Sequence, residues 1–266
     1  MVGCGGAAGT GPKELPPTSA FAHDDGSADP GLTATLAAHA AGEVDVAAVV
    51  AALVGTRVLV PVLAHEAGHG PGEPSEQDGG AGRGDGAAHA DDAGNGDREG
   101  STAVVALRVP DGRTALPVFT GVAALAAWRT DARPVPAEIA RAAASALAEG
   151  WQVMVLDPAG PVTVVVPRPA VQALAIGLPW DPAVRGGVVR ADVRAAVERV
   201  LVGVPHVRTV VVEPGRRSEL AVVLGLSPGL ARDALTAVVD EVNARLAADP
   251  MVAQVDSLEL RPVAAG

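Results

Sequence analysis

Apolar residues recur first at helical and then at strand spacing from residue 29 onward, and each change of period marks an element boundary. Asp29-Pro30 reads as an N-cap followed by proline at the first helical position, opening an Ala/Leu helix through about Ala41. Glu43 to Val54 predicts a second helix, stopped by Gly55. Arg57 to Ala64 (RVLVPVLA) is a β-branched run and predicts a strand, in which Pro61 suggests an edge or bulge position because proline has no N–H to donate. His65 to Gly100 then loses all periodicity in favour of Gly, Ala, Asp and Glu, the pattern of a disordered insertion.

Regularity returns with strands at Ala103 to Val109 and Thr114 to Phe119 around Pro110-Asp111-Gly112-Arg113, then a short helix from Thr120 to Trp128. Pro134 to Glu149 reads as an Ala-rich helix closed by Gly150. Trp151 to Leu156 and Val162 to Val166 predict strands flanking Asp157-Pro158-Ala159-Gly160, with a helix from Arg168 to Ile176. Beyond a Pro/Gly-rich stretch come a helix (Ala191 to Val202), strands at Val207 to Glu213 and Glu219 to Leu224, a long helix (Pro228 to Ala248) and a last strand (Val252 to Pro262). Strand, turn, strand, helix is thus written three times, at 103–128, 151–176 and 207–248. Short turns reverse the chain, so the expected class is α+β: two units of mixed, largely antiparallel sheet with helices packed on one face. The expected division is a disordered tail over 1–17, a first domain over 18–176 interrupted by the insertion at 65–100, a linker at 177–190 and an α/β sandwich over 191–263.

Composition narrows the function classes. The chain of 266 residues is 48% hydrophobic but only 2% aromatic, with no Tyr, so its cores rest on Ala, Val and Leu and offer few stacking platforms. Of the net charge of -11, residues 65–100 supply -7, and no basic stripe exists to neutralise phosphates, so nucleic acid is not an expected partner. Lys13 is the sole lysine and no P-loop precedes it, which removes Walker-type and Schiff-base chemistry. Cys4 is alone, and no signal-peptide or membrane-spanning pattern appears, so a cytoplasmic protein without membrane partners is expected.

Two motifs match catalytic patterns literally. His65-Glu66-Ala67-Gly68-His69 fits H-E-x-x-H, whose helix places two imidazoles on one face of a zinc ion and leaves the glutamate to activate water. Here Gly68, Gly70, Pro71 and Gly72 oppose that helix, and a chance match in a loop explains the residues as well. Gly225-Leu226-Ser227-Pro228-Gly229 fits the G-x-S-x-G elbow, but Pro228 lacks the N–H of an oxyanion hole; Ser227 as N-cap and Pro228 as first helical residue is the simpler account. Asp24-Asp25-Gly26-Ser27-Ala28-Asp29 lacks calcium-loop spacing and suits capping. Trp128, Trp151, Trp180 and Phe119 suit core or rim packing, and Arg216-Arg217 suit a solvated turn or an anion site.

The runs PTSAFAHDDGSADP (17–30), RVLVPVLA (57–64), PDGRTALPVFTGVAALAAW (110–128), RPVPAEIARAAASALAEGWQVMVLDPAGPVTVVVPRPAVQALAIGLPW (133–180) and VDSLELRPV (255–263) closely resemble the SseB family as found in actinobacteria. The resemblance implies an SseB N-terminal domain followed by a related C-terminal region in a cytoplasmic protein, with a family name linked to serine sensitivity and no catalytic residues to carry over. The expectation is therefore a non-enzymatic binding or regulatory module with no cofactor and no metal site, acting on a protein partner or small ligand that the sequence does not identify. The competing reading is a metal-dependent hydrolase using His65, Glu66 and His69.

Overall fold

The computed structural model describes residues 21–22, 24–64 and 102–265; the expected tail and the expected insertion with its HEAGH motif lie outside them. Helix α1 (Pro30–Ala40) begins where the sequence places it, with the Asp29 carboxylate accepting from the Leu32 N–H at 2.8 Å. Helix α2 (Val46–Leu53) starts later than expected, because Asp45 takes the N-cap and accepts from the Ala48 N–H at 3.1 Å. Strand β1 (Arg57–Ala64) follows.

The predicted strand 103–109 is split between two sheets: β2 (Thr102–Val104) pairs with β1, whereas β3 (Leu107–Arg108) pairs with β4 (Thr114–Val118). After α3 (Val122–Trp128) comes β5 (Arg133–Glu138), and only then α4 (Ile139–Ala148). The helix expected over 134–149 is corrected accordingly. Pro134 and Pro136 oppose Pro61 and Leu59 of β1. Leu59 exchanges both backbone hydrogen bonds with Phe119, so residues 59 and 61 turn their backbone polar groups away from β5, and Pro134 and Pro136 turn theirs to the free edge.

Pro61 itself is corrected by the same geometry. Strand β1 lies at the centre of the order β2-β1-β5 rather than at an edge. Its missing N–H falls between the Phe119 bridge and the first β2 pair, Val62 with Val104, where no ladder bond is required.

Strands β6 (Val153–Leu156) and β7 (Val164–Val166) complete the sheet β3-β4-β6-β7, in which β4 and β6 run parallel and the outer pairs antiparallel. With α5 (Arg168–Ala175), these elements enclose a first core containing Leu32, Val49, Val58, Leu116, Ile139, Met154 and Val171.

The 177–190 stretch read as a linker carries a hairpin of β8 (Val184–Arg185) and β9 (Val188–Val189), turned by Gly186 and Gly187 at φ +57 and +75. Its Ala183 and Val189 join a second core, built from α6 (Ala191–Val200), β10 (Val207–Pro214), β11 (Leu220–Leu226), α7 (Arg232–Ala248) and β12 (Leu258–Ala264). Strands β10 and β11 are antiparallel; β11 and β12 are parallel, joined through α7, whose Val238, Val242 and Leu246 are buried in that core. The class is α+β. Helix α7 does not start at Ser227-Pro228: Gly229 at φ +74 turns the chain first, and the cap is Ala231 without a side-chain bond. Among the described residues no helix is long and apolar enough to cross a membrane.

Ala64 stands directly opposite Thr102, so the strands flanking residues 66–100 already form an antiparallel pair. Replacing 66–100 by a tight Asn-Gly turn is expected to leave the melting temperature unchanged or raised, because loop closure becomes cheaper by up to about 2 kcal/mol. A fall of more than about 4 °C on thermal denaturation would contradict this.

Candidate functional site

The polar contacts between the two cores converge on one hollow of about 720 Å³. One wall comes from the first core: Asp45 at the head of α2, Asp111 and Arg113 before β4, Val165 on β7 and Pro167 at the head of α5. The other comes from the 180–184 stretch, the turn between β10 and β11, and Asp256-Ser257 leading into β12.

Asp256 pins the two walls. Its carboxylate accepts from the Arg113 guanidinium at 2.7 Å and from the Arg168 N–H at 3.1 Å, both on the first-core side. Glu219 plays the same part inside the second wall, accepting from the Ala183 N–H at 2.7 Å and the Asp256 N–H at 2.8 Å. Asp111 receives the Arg113 guanidinium at 2.8 Å and then its N–H at 3.0 Å, which hold that carboxyl below its ordinary value. The turn carrying Arg216 and Arg217 needs glycine at 215, where a Cβ would stand 2.2 Å from the Ser218 carbonyl oxygen. The Arg216 N–H is anchored on Glu259 at 3.0 Å, and this bond, followed by the Arg261 guanidinium, holds the Glu259 carboxyl low. Trp180 packs on the first core, and its buried indole N–H has no hydrogen-bond partner among the described residues.

A second polar contact lies at the carboxyl ends of the parallel strands β4 and β6. Asp157 is 6% exposed and adopts φ +47; its carboxylate takes both the N–H and the hydroxyl of Thr120 at 2.8 Å. Burial raises this carboxyl above its ordinary value, and the Thr120 bonds offset only part of that. The pair joins the ends of two strands, its carboxylate committed to Thr120.

The family model described as SseB protein N-terminal domain matches residues 32–173. The chain belongs to the SseB family. Nothing among curated proteins or solved structures matches it. The hollow straddles the end of the matched SseB segment, since Asp45, Asp111, Arg113 and Val165 lie within it and Trp180, Arg216, Arg217, Glu219 and Asp256 beyond.

Of the residues singled out by sequence in this SseB protein, His65, Glu66 and His69 lie outside the described residues. Ser227 is corrected from N-cap to a loop position, its hydroxyl accepting from Arg208 Nε at 2.9 Å and its N–H donating to the His206 carbonyl. Asp24 pairs with Arg57, Asp25 accepts from Ser27, and Asp29 caps α1, as the capping reading expects. Trp128 packs 5.3 Å from Phe119 beside Leu59 and Leu125. Among the described residues no group of three His, Cys, Asp or Glu side chains could hold a metal ion. Arg216 and Arg217 border the hollow, whereas its organising residues Asp256, Glu219 and Arg113 carried no signal in the sequence. Asp157, read there only as part of a turn, had no such signal either.

Proposed function

We propose that this SseB-family chain is a non-catalytic cytoplasmic binding module whose ligand or partner is taken in the hollow between the two cores. The observation that carries the reading is how the charged residues of that hollow are used: the Asp111, Glu219 and Asp256 carboxylates each hold an amide or guanidinium of the protein itself. Groups committed in this way fix the shape of a cleft, whereas general acid or base work needs a side chain directed at a reacting atom. Clefts between packed units are a common place for ligands. A single cysteine, unable to form an intrachain disulfide, supports the cytoplasmic setting.

Metal analysis of untagged protein tests this against the hydrolase reading. Sub-stoichiometric zinc is expected; one tightly held zinc per chain, lost in His65→Ala with His69→Ala, would favour the hydrolase.

A further inference from the structure

We propose that the hollow takes an organic dianion, a phosphate monoester or a dicarboxylate joined to an apolar body, with Arg216 and Arg217 as its anion clamp; this rests on the cleft being the binding site. Both guanidiniums border the hollow, and neither makes a hydrogen bond or ion pair among the described residues. Every other charged side chain lining it is engaged. Asp45 caps α2 and pairs with Arg185, Asp111 and Asp256 share Arg113, and Glu219 holds two backbone amides. Glu259, whose carboxylate feels the Arg217 charge without pairing with it, is bound to the Arg216 amide and paired with Arg261.

Two planar guanidiniums carry ten N–H donors, and their fork geometry suits the paired oxygens of a phosphate or carboxylate. Their backbone is already fixed. Gly215 permits the tight turn, and the Gly215 N–H donates to the Glu219 carbonyl at 3.1 Å, so the clamp loses little further backbone entropy on binding. The volume of about 720 Å³ far exceeds a bare oxyanion. The opposite wall offers Val165, 41% exposed, with Pro167, and the clamp's own wall adds Pro182 and Val184, a surface for an apolar body. The lining acids and arginines nearly cancel in formal charge, so selection rests on directed bonds from the clamp rather than on a long-range field.

The test is a titration of the full-length 15N-labelled chain, following the amides of 215–218 and the arginine Nε–H signals. The probes are phenyl phosphate, phthalate, inorganic phosphate and benzyl alcohol. Phenyl phosphate or phthalate is expected to give saturable shifts at the clamp, at least about tenfold tighter than inorganic phosphate or benzyl alcohol, a difference of ~1.4 kcal/mol. Whichever of the two binds tighter fixes the anion as phosphate ester or dicarboxylate. Arg216→Gln with Arg217→Gln should weaken it by at least about tenfold while the rest of the spectrum is unchanged. If benzyl alcohol binds the hollow as well as the dianions do, and the double variant keeps that binding, the anion clamp is overturned while the cleft reading stands. If no probe shifts the clamp signals at millimolar concentration, or the shifts fall elsewhere, the dianion proposal is overturned.

Discussion

Asp157→Ala is expected to lower the melting temperature by about 6–12 °C, corresponding to about 3 kcal/mol in a protein of this size. The substitution leaves the buried Thr120 N–H and hydroxyl without their acceptor, and it places a residue with no local side-chain bond at φ +47. Asp157→Asn behaves differently. Asparagine keeps an acceptor for the Thr120 N–H, offers its amide to the hydroxyl, and tolerates the left-handed conformation.

The pH dependence separates the two effects. Burial raises the Asp157 carboxyl in the folded state, so the native protein holds that proton more firmly than the unfolded chain. Its contribution is therefore fully present below the unfolded value near pH 4 and is lost as pH rises through the higher folded value. Asp157→Asn should match the parent at acid pH and equal or exceed its melting temperature at neutral pH. An Asn variant that loses stability relative to the parent as pH rises would show that the Thr120 bonds outweigh burial.

The second large effect concerns Val118→Glu. Val118 is 0% exposed on β4, aligned with Leu156 of the parallel β6, and belongs to the first core. A carboxylate there has no partner, and overpacking adds to the desolvation cost, so a loss above about 5 kcal/mol is expected, comparable with the whole stability of a domain. The amide signals of β4, β6 and α4 should collapse into the unfolded range. Those of β11 and α7 should stay dispersed, because their core is built from residues 183–252 and does not include the β4 sheet. Loss of both sets together would mean that the two cores fold as one cooperative unit.

Where a residue acts on its immediate neighbours, its role was legible in the sequence. Asp29-Pro30 announces α1 because cap and first turn lie within four residues, and RVLVPVLA announces β1 to the residue. Where the partner is distant, the local pattern misleads. Pro134 and Pro136 look helical in sequence because the Ala-rich run beside them dominates the window; only their pairing with β1 shows that both face a free edge. Ser227-Pro228 has the local form of a helix start, yet Gly229 carries the chain through a turn first.

The candidate site follows the same rule. Arg113 and Asp256 are 143 residues apart, and Asp157 lies 37 residues from Thr120, so neither pair leaves a spacing to recognise. Arg216-Arg217 was visible as a basic turn, but its position beside Val165 and Trp180 depends on how the two cores meet.

The claim that this SseB-family protein acts by binding in the hollow between its cores is tested most directly by rescue of a deletion strain with two variants, each first shown to melt within a few degrees of the parent. Val165→Trp fills the hollow from a half-exposed position and is expected to abolish rescue. His65→Ala with His69→Ala is expected to rescue fully. Full rescue by the filled-cleft variant, with loss of rescue in the folded double-histidine variant, would contradict the account.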